Sequence, residues 1–156
     1  MTDEPVADPD APERIVVEAV AEVTDELAEA IRRLYPQLTQ SPVPDERAIA
    51  SVLDAGARMV VARADDAIVG MGTVIIATAL SGTTAHVEDV VVDAGSRGRG
   101  IDARLMGELL DLARAEGADQ MTLTSHPTRE AANRLYQRLG FQLGGTNYYW
   151  LDLETV

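Results

Sequence analysis

The order of elements that the sequence predicts, β α α β β β α β α β, places the chain in the α/β (α+β) class, a mixed sheet of six or seven strands flanked by about four helices. Three observations carry this. Short runs rich in β-branched residues, such as residues 14–20 (RIVVEAV), are bounded by turn residues. Apolar residues recur at helical spacing in four other segments. Neighbouring strands read as hairpins, except where a glycine-rich turn, a helix and a further strand make a crossover.

Each element has a local reason. After the first strand, Thr24 caps a helix with Asp25 and Glu26 in its first turn and Leu27, Ile31, Leu34 and Leu38 at helical spacing. Pro36 ends that helix or opens its last turn. Residues 35–44 form a loop with three prolines, and Asp45 caps a second helix with Ile49, Val52 and Leu53 on one face. Gly56 stands where a left-handed cap belongs. Residues 58–63 and 67–79 are strands joined by a turn at Ala64-Asp65-Asp66, and Ser81-Gly82-Thr83 turns into a third strand over 84–93. On ideal alternation His86, Glu88, Val90 and Val92 share one face of that strand and Val87, Asp89, Val91 and Asp93 the other. Its apolar end reads as central, whereas three ionisable residues midway suggest a cleft. A helix from Ile101, with Leu105, Leu109 and Leu112, runs to Gly117; a strand covers 120–125; a helix over 129–139 ends at Gly140; residues 141–153 make a final strand or pair kinked at Gly144-Gly145.

The 156 residues carry 26 acids and 13 bases, a net charge of −13, and every base is an arginine. Such an acidic chain is a poor partner for nucleic acid or an anionic membrane; its charge either attracts a cationic substrate such as an amine or serves general solubility. Without lysine there is no Schiff base and no Walker lysine. Without cysteine there is no disulfide, thiolate nucleophile or cysteine-held metal, and two histidines without ligand spacing argue against any metal site. No signal peptide is visible, so a cytoplasmic location is expected. Residues 1–13, with five acids and three prolines, are expected to be a disordered acidic tail before a single domain over 14–156.

The chemistry concentrates in Arg97-Gly98-Arg99-Gly100-Ile101-Asp102, a strand-to-helix turn. Glycines allow close backbone approach, and the first-turn amides of the helix offer an anion site to which the two arginines add charge. A pyrophosphate is the natural guest. The run Glu88-Asp89-Val90-Val91-Val92-Asp93, this turn, and the later Leu135-Tyr136-Gln137-Arg138-Leu139-Gly140-Phe141 resemble the GNAT acetyltransferase superfamily over residues 14–153, and Ile68-Val69-Gly70-Met71-Gly72 is similar to its third strand. The family pattern [QR]-x-x-G-x-[GA] is met except at its last position, where Asp102 stands. That acid either repels a phosphate or serves as a first-turn acid turned toward backbone amides. Arg129 also stands where many relatives carry Asn, and Asn133 lies nearer the tyrosine. The run around Glu88 is similar to that of glucosamine-6-phosphate N-acetyltransferases, but the acceptor-binding parts are not matched.

The resemblance implies a mostly antiparallel sheet and transfer of acetyl from acetyl-CoA to a primary amine by direct attack in a ternary complex. It implies that Arg97, Gly98, Arg99, Gly100, Ile101 and Asp102 hold the coenzyme's pyrophosphate, with Asn133 also on the coenzyme. It implies that Val90, Val91 and Val92 pair with the pantetheine arm, a main-chain N–H there facing the carbonyl oxygen. Tyr136 matches the family's acid: a phenol of pKa about 10 can protonate a thiolate whose conjugate acid is near 8.5. Packing on the apolar helix face is the other role open to it. Glu88 is the candidate base and His86 its alternative; a carboxylate needs burial or a water relay for that work. Tyr148, Tyr149 and Trp150 either line an acceptor pocket or pack a sheet or subunit interface. The acceptor is a small amine or a peptide N-terminus, and the family suggests a homodimer through the last strands. The rival reading is a catalytically silent acyl-CoA-binding or interaction module on the same fold.

Overall fold

A computed structural model of the chain describes residues 13–154. The acidic tail therefore lies outside the described residues apart from Glu13. The chain divides after Thr124 into two compact units.

The first unit is a five-stranded sheet in the order β1-β2-β3-β4-β5. Strands β1 (Ile15–Ala19), β2 (Arg58–Ala64), β3 (Ala67–Ala79) and β4 (Gly82–Val92) run antiparallel, and β5 (Gln120–Thr122) joins β4 in parallel. Helix α1 (Asp25–Leu34) starts where Thr24 Oγ1 accepts the amide of Leu27 at 3.1 Å, and α2 (Glu46–Asp54) where Asp45 Oδ1 accepts that of Ala48 at 2.8 Å. Pro36 does not stop the chain outright but turns it into one 3₁₀ turn, Tyr35–Gln37. Helix α3 (Ile101–Ala115) supplies the crossover to β5.

The two faces of the sheet are covered differently. Leu27, Ile31, Leu34 and Ile49 of α1 and α2 pack with Met59, Val61, Met71 and Val91. Helix α3 approaches the other face closely, and glycines in β3 make room for it. A Cβ on Gly72 would stand 3.0 Å from Leu109 Cδ1, and one on Gly70 3.1 Å from Leu105 Cδ1. Leu112 is only half-buried, because Ala113 takes the inward position, and Val52 is exposed.

The second unit contains α4 (Glu130–Arg138), which ends at Leu139 before Gly140 with φ +94°. Two sequence expectations fail here and in β5. The fifth strand is three residues, not six, because its partner β4 leaves it after His86. No strand forms among the described residues after 140, so the sheet has five strands rather than six or seven. The apolar alternation there is real, but Gly144-Gly145 interrupts it and a strand without a ladder partner is not stable. Tyr148, Tyr149 and Trp150 are accordingly exposed.

Replacing Gly72 with Val should lower unfolding free energy by about 1–3 kcal/mol, the usual cost of overpacking. A denaturant midpoint equal to wild type would show that α3 can yield at Leu109.

Candidate active site

Strand β4 carries the main irregularity of the sheet. Thr73 pairs with Glu88 and Met71 with Val91, so Asp89 and Val90 together oppose the single residue Gly72. This is a β-bulge, and Asp89 sits in it at φ +56°, in the left-handed region that Asp tolerates better than most residues. The bulge overturns the ideal alternation. Glu88 and Val91 now share the face of Thr73 and Met71, whereas Val90 turns toward Gly72, where a Cβ would lie 3.4 Å from its Cγ2. Burial raises the proton affinity of the half-buried Asp89 carboxyl, and the charge of Glu88 adds to the shift.

The bulge also opens an edge. The ladder to β5 covers Thr84 to His86, opposite Gln120 to Thr122, and no described strand pairs with β4 on that side beyond it. At the fork, His86 Nδ1 meets Thr122 Oγ1 at 2.8 Å and His86 Nε2 meets Glu88 Oε1 at 2.9 Å. Both side chains of the His86–Glu88 pair are reachable from solvent, at 36% and 46% exposure. Opposite Glu88, the Thr73 hydroxyl is buried without a partner among the described residues.

The turn after β4 is pinned before it opens. Asp93 Oδ2 accepts the amide of Gly95 at 3.1 Å. Gln37 then clamps the turn to the end of α1: its Oε1 accepts the Ala94 amide at 2.8 Å, and its Nε2 donates to Asp93 Oδ1 at 2.9 Å. These contacts hold the Asp93 carboxyl below the usual range, the bond from Gln37 contributing most. Arg97 folds back, its Nε donating to Val92 O at 3.1 Å, and Arg99 pairs with Glu13. Gly98 and Gly100 follow at φ +76° and +71°, and apart from its chain neighbours no described residue comes within 4 Å of a Cβ built on either.

This open, positive-φ turn runs straight into α3, and it fits a pyrophosphate on the first-turn amides. Ile101 can serve such a guest only through its backbone, since its side chain is buried. Asp102 takes the Ala103 amide at 2.9 Å through its own carboxylate, as a first-turn acid turned to the backbone does.

The second unit holds the other two residues singled out from sequence. Tyr136 is buried on α4, its ring edge-on to Phe141 with centroids 6.0 Å apart. Its hydroxyl has no protein partner among the described residues. Asn133 donates through Nδ2 to His126 O at 3.1 Å, which fastens the turn ahead of the helix. His126 itself bonds Thr128 Oγ1 at 2.7 Å through Nδ1, a turn contact.

Gln37, Thr73 and Thr122 escaped the sequence reading. Their residue types carry no chemical signal, and only the strand register places them. Among the described residues no group of three or more acidic or histidine side chains could hold a metal ion, and no helix is long and apolar enough to cross a membrane.

Residues 22–141 match the Acetyltransferase (GNAT) family. The chain belongs to that family. Its GNAT relatives include glucosamine 6-phosphate N-acetyltransferase 1 of rice (Oryza sativa subsp. japonica), 33% identical over 119 residues that span 69% of this chain and 70% of the rice protein. The probable glucosamine 6-phosphate N-acetyltransferase 2 of rice is 40% identical over 60 residues, 38% of this chain, and the match spans only 34% of the rice protein's length. A crystal structure of a Trypanosoma brucei acetyltransferase superposes with a TM-score of 0.72 at 26% identity, over 90% of this chain and all of that one. The GNAT fold is thus established for nearly the whole chain, and the α/β class with it.

The raised proton affinity of Asp89 has a consequence for stability. Its folded pKa lies above the unfolded value of about 3.9, so the buried charge opposes folding at neutral pH and is silent once both states are protonated. Asp89→Asn, which also suits a positive φ, should raise the melting temperature at pH 7. The gain should shrink as pH falls toward about 4. An equal gain at pH 4 and pH 7 would mean that charge is not its cause.

Proposed function

We propose that the protein is an acetyl-CoA-dependent N-acetyltransferase acting on a primary amine by direct transfer in a ternary complex. The observation that carries this reading is the union of a β4 edge left unpaired among the described residues, an open turn at the end of the same strand, and a hydrogen-bonded His–Glu pair at the start of that edge. Family membership supplies the donor class: acetyl-CoA.

In this reading the amides of residues 97–102 take the pyrophosphate, and the edge at Val90, Val91 and Val92 takes the amide-rich pantetheine arm as an added strand. A main-chain N–H beside the bulge faces the thioester oxygen where negative charge develops. The amine nitrogen attacks the carbonyl carbon, a C–N bond forms and the C–S bond breaks. The amine's proton goes to the Glu88–His86 pair, and Tyr136 protonates the departing thiolate. The acidic chain favours a cationic acceptor. Glucosamine 6-phosphate, named for the rice relatives, is one acceptor to try beside unphosphorylated amines and peptide N-termini.

One observation favours a second reading, a silent acyl-CoA-binding module: the Asp102 carboxylate occupies the Ala103 amide that a phosphate would use. Titration with acetyl-CoA, followed by thiol release with glucosamine 6-phosphate, benzylamine and an alanine-led peptide, separates the two. Micromolar binding with acceptor-dependent thiol release is expected, and Tyr136→Phe should lower kcat roughly 10²-fold with little change in acetyl-CoA affinity. Binding without thiol release from any amine supports the silent module instead. Unchanged turnover in the variant removes Tyr136 from the mechanism.

A further inference from the structure

Resting on the transferase reading, we propose that Thr122, His86 and Glu88 form a directed proton path. Thr122 touches the acceptor amine, His86 is the terminal base, and Glu88 positions the imidazole rather than acting as the base.

The placement comes from the backbone. His86 and Thr122 are directly paired in the parallel β4–β5 ladder, and they are its last pair. Glu88 lies two residues further along β4, on the same face and immediately before the bulge. The three side chains therefore line up at the fork where β4 and β5 part, next to the edge assigned to the thioester arm. Ile75 of β3 and Thr122 of β5, the residues directly opposite His86, carry no charge. Glu88 is in contact with the ring through Nε2.

The hydrogen bonds fix a direction. An ionised carboxylate only accepts, so the 2.9 Å contact to Glu88 requires the proton on Nε2. A neutral imidazole then presents a bare Nδ1, and the 2.8 Å contact on that side requires the Thr122 hydroxyl to donate to it. Thr122 is exposed, and with its one proton committed inward its oxygen can only accept from outside. The outer end of the chain is thus an acceptor for an amine N–H. A group built to hold a substrate carbonyl would have the opposite polarity.

The step balances. The acceptor first sheds its ammonium proton to water; as the neutral nitrogen then bonds to the thioester carbon, one N–H proton passes to Thr122 Oγ1 while the threonine's own proton moves to His86 Nδ1. No acyl-threonine forms. The imidazolium is held by the Glu88 carboxylate and, being partly exposed, returns its proton to water. Imidazole has the ordinary side-chain proton affinity closest to neutral pH, which suits the terminal base better than a carboxylate does. The acid–base–hydroxyl order is that of hydrolytic triads, with the hydroxyl relaying a proton in place of attacking.

The test measures kcat and KM against pH for acetyl transfer to whichever of the three amines above the wild type turns over fastest. It uses His86→Gln, Thr122→Val and Thr122→Ser, with melting temperatures as a folding control. His86→Gln should lower kcat by about 10²-fold at near-constant KM for acetyl-CoA and abolish the acidic limb of the kcat profile. Thr122→Val should lower kcat several-fold, and Thr122→Ser should restore it. Nitrogen-15 spectra of the imidazoles add a readout independent of turnover: the Nε2–H tautomer of His86 should dominate in wild type and weaken in Thr122→Val. Transfer that survives His86→Gln, or an acidic limb that persists in it, overturns the path while leaving the transferase reading intact. A wild-type protein that acetylates no amine overturns the transferase reading and the path with it.

Discussion

The bulge at Asp89 is the constraint on which the rest of the site depends. One extra residue opposite Gly72 lets β4 stay paired to β3 while its far edge parts from β5. The change of face brings Val91 into the core beside Met71, on the side where ordinary alternation already sets Glu88 next to His86. The β5 ladder ends at His86, just before the bulge, and no described strand pairs with β4 on that side beyond it. Gly72 belongs to the same device: without a Cβ it accepts both Leu109 of α3 and the redirected Val90. The close packing of α3 and the opening of β4 therefore share one cause. The cost is borne by Asp89, held at positive φ with a half-buried carboxyl beside another acid.

A second set of contacts carries that geometry to the anion turn. Gln37 ties the end of α1 to Ala94 and Asp93, and Arg97 returns to the carbonyl of Val92. The turn is thus hydrogen-bonded at its entry and open at Gly98 and Gly100, as the proposed phosphate site requires. Charge is used sparingly. Arg97 is partly spent on structure and Arg99 on Glu13, which in the proposed reading leaves backbone amides rather than free guanidinium groups to meet a phosphate. Asp102 works against that balance, since its carboxylate takes the Ala103 amide for itself.

Much of this was legible in the sequence because it rests on local rules. Thr24 and Asp45 cap the helices as their side-chain chemistry dictates, and Gly56, Gly117 and Gly140 take the positive φ that helix ends require. The glycine–arginine turn and its helix are likewise local. What escaped depends on pairing. A bulge leaves no mark on strict alternation, so Glu88, Val90 and Val92 were expected on one face. Thr122 gains meaning only from its register with His86, and Gln37 only from α1 lying beside the turn. The aromatic run at 148–150 has the composition of a strand but no ladder among the described residues.

The central claim, that the bulge frees β4 to receive acetyl-CoA along its edge, is tested most directly by amide hydrogen exchange with and without coenzyme A. The account predicts slowed exchange in two stretches, Val90 to Val92 and residues 98–103, with little change in β1 and β2. Binding that slows exchange elsewhere and leaves Val90 to Val92 unchanged would contradict it.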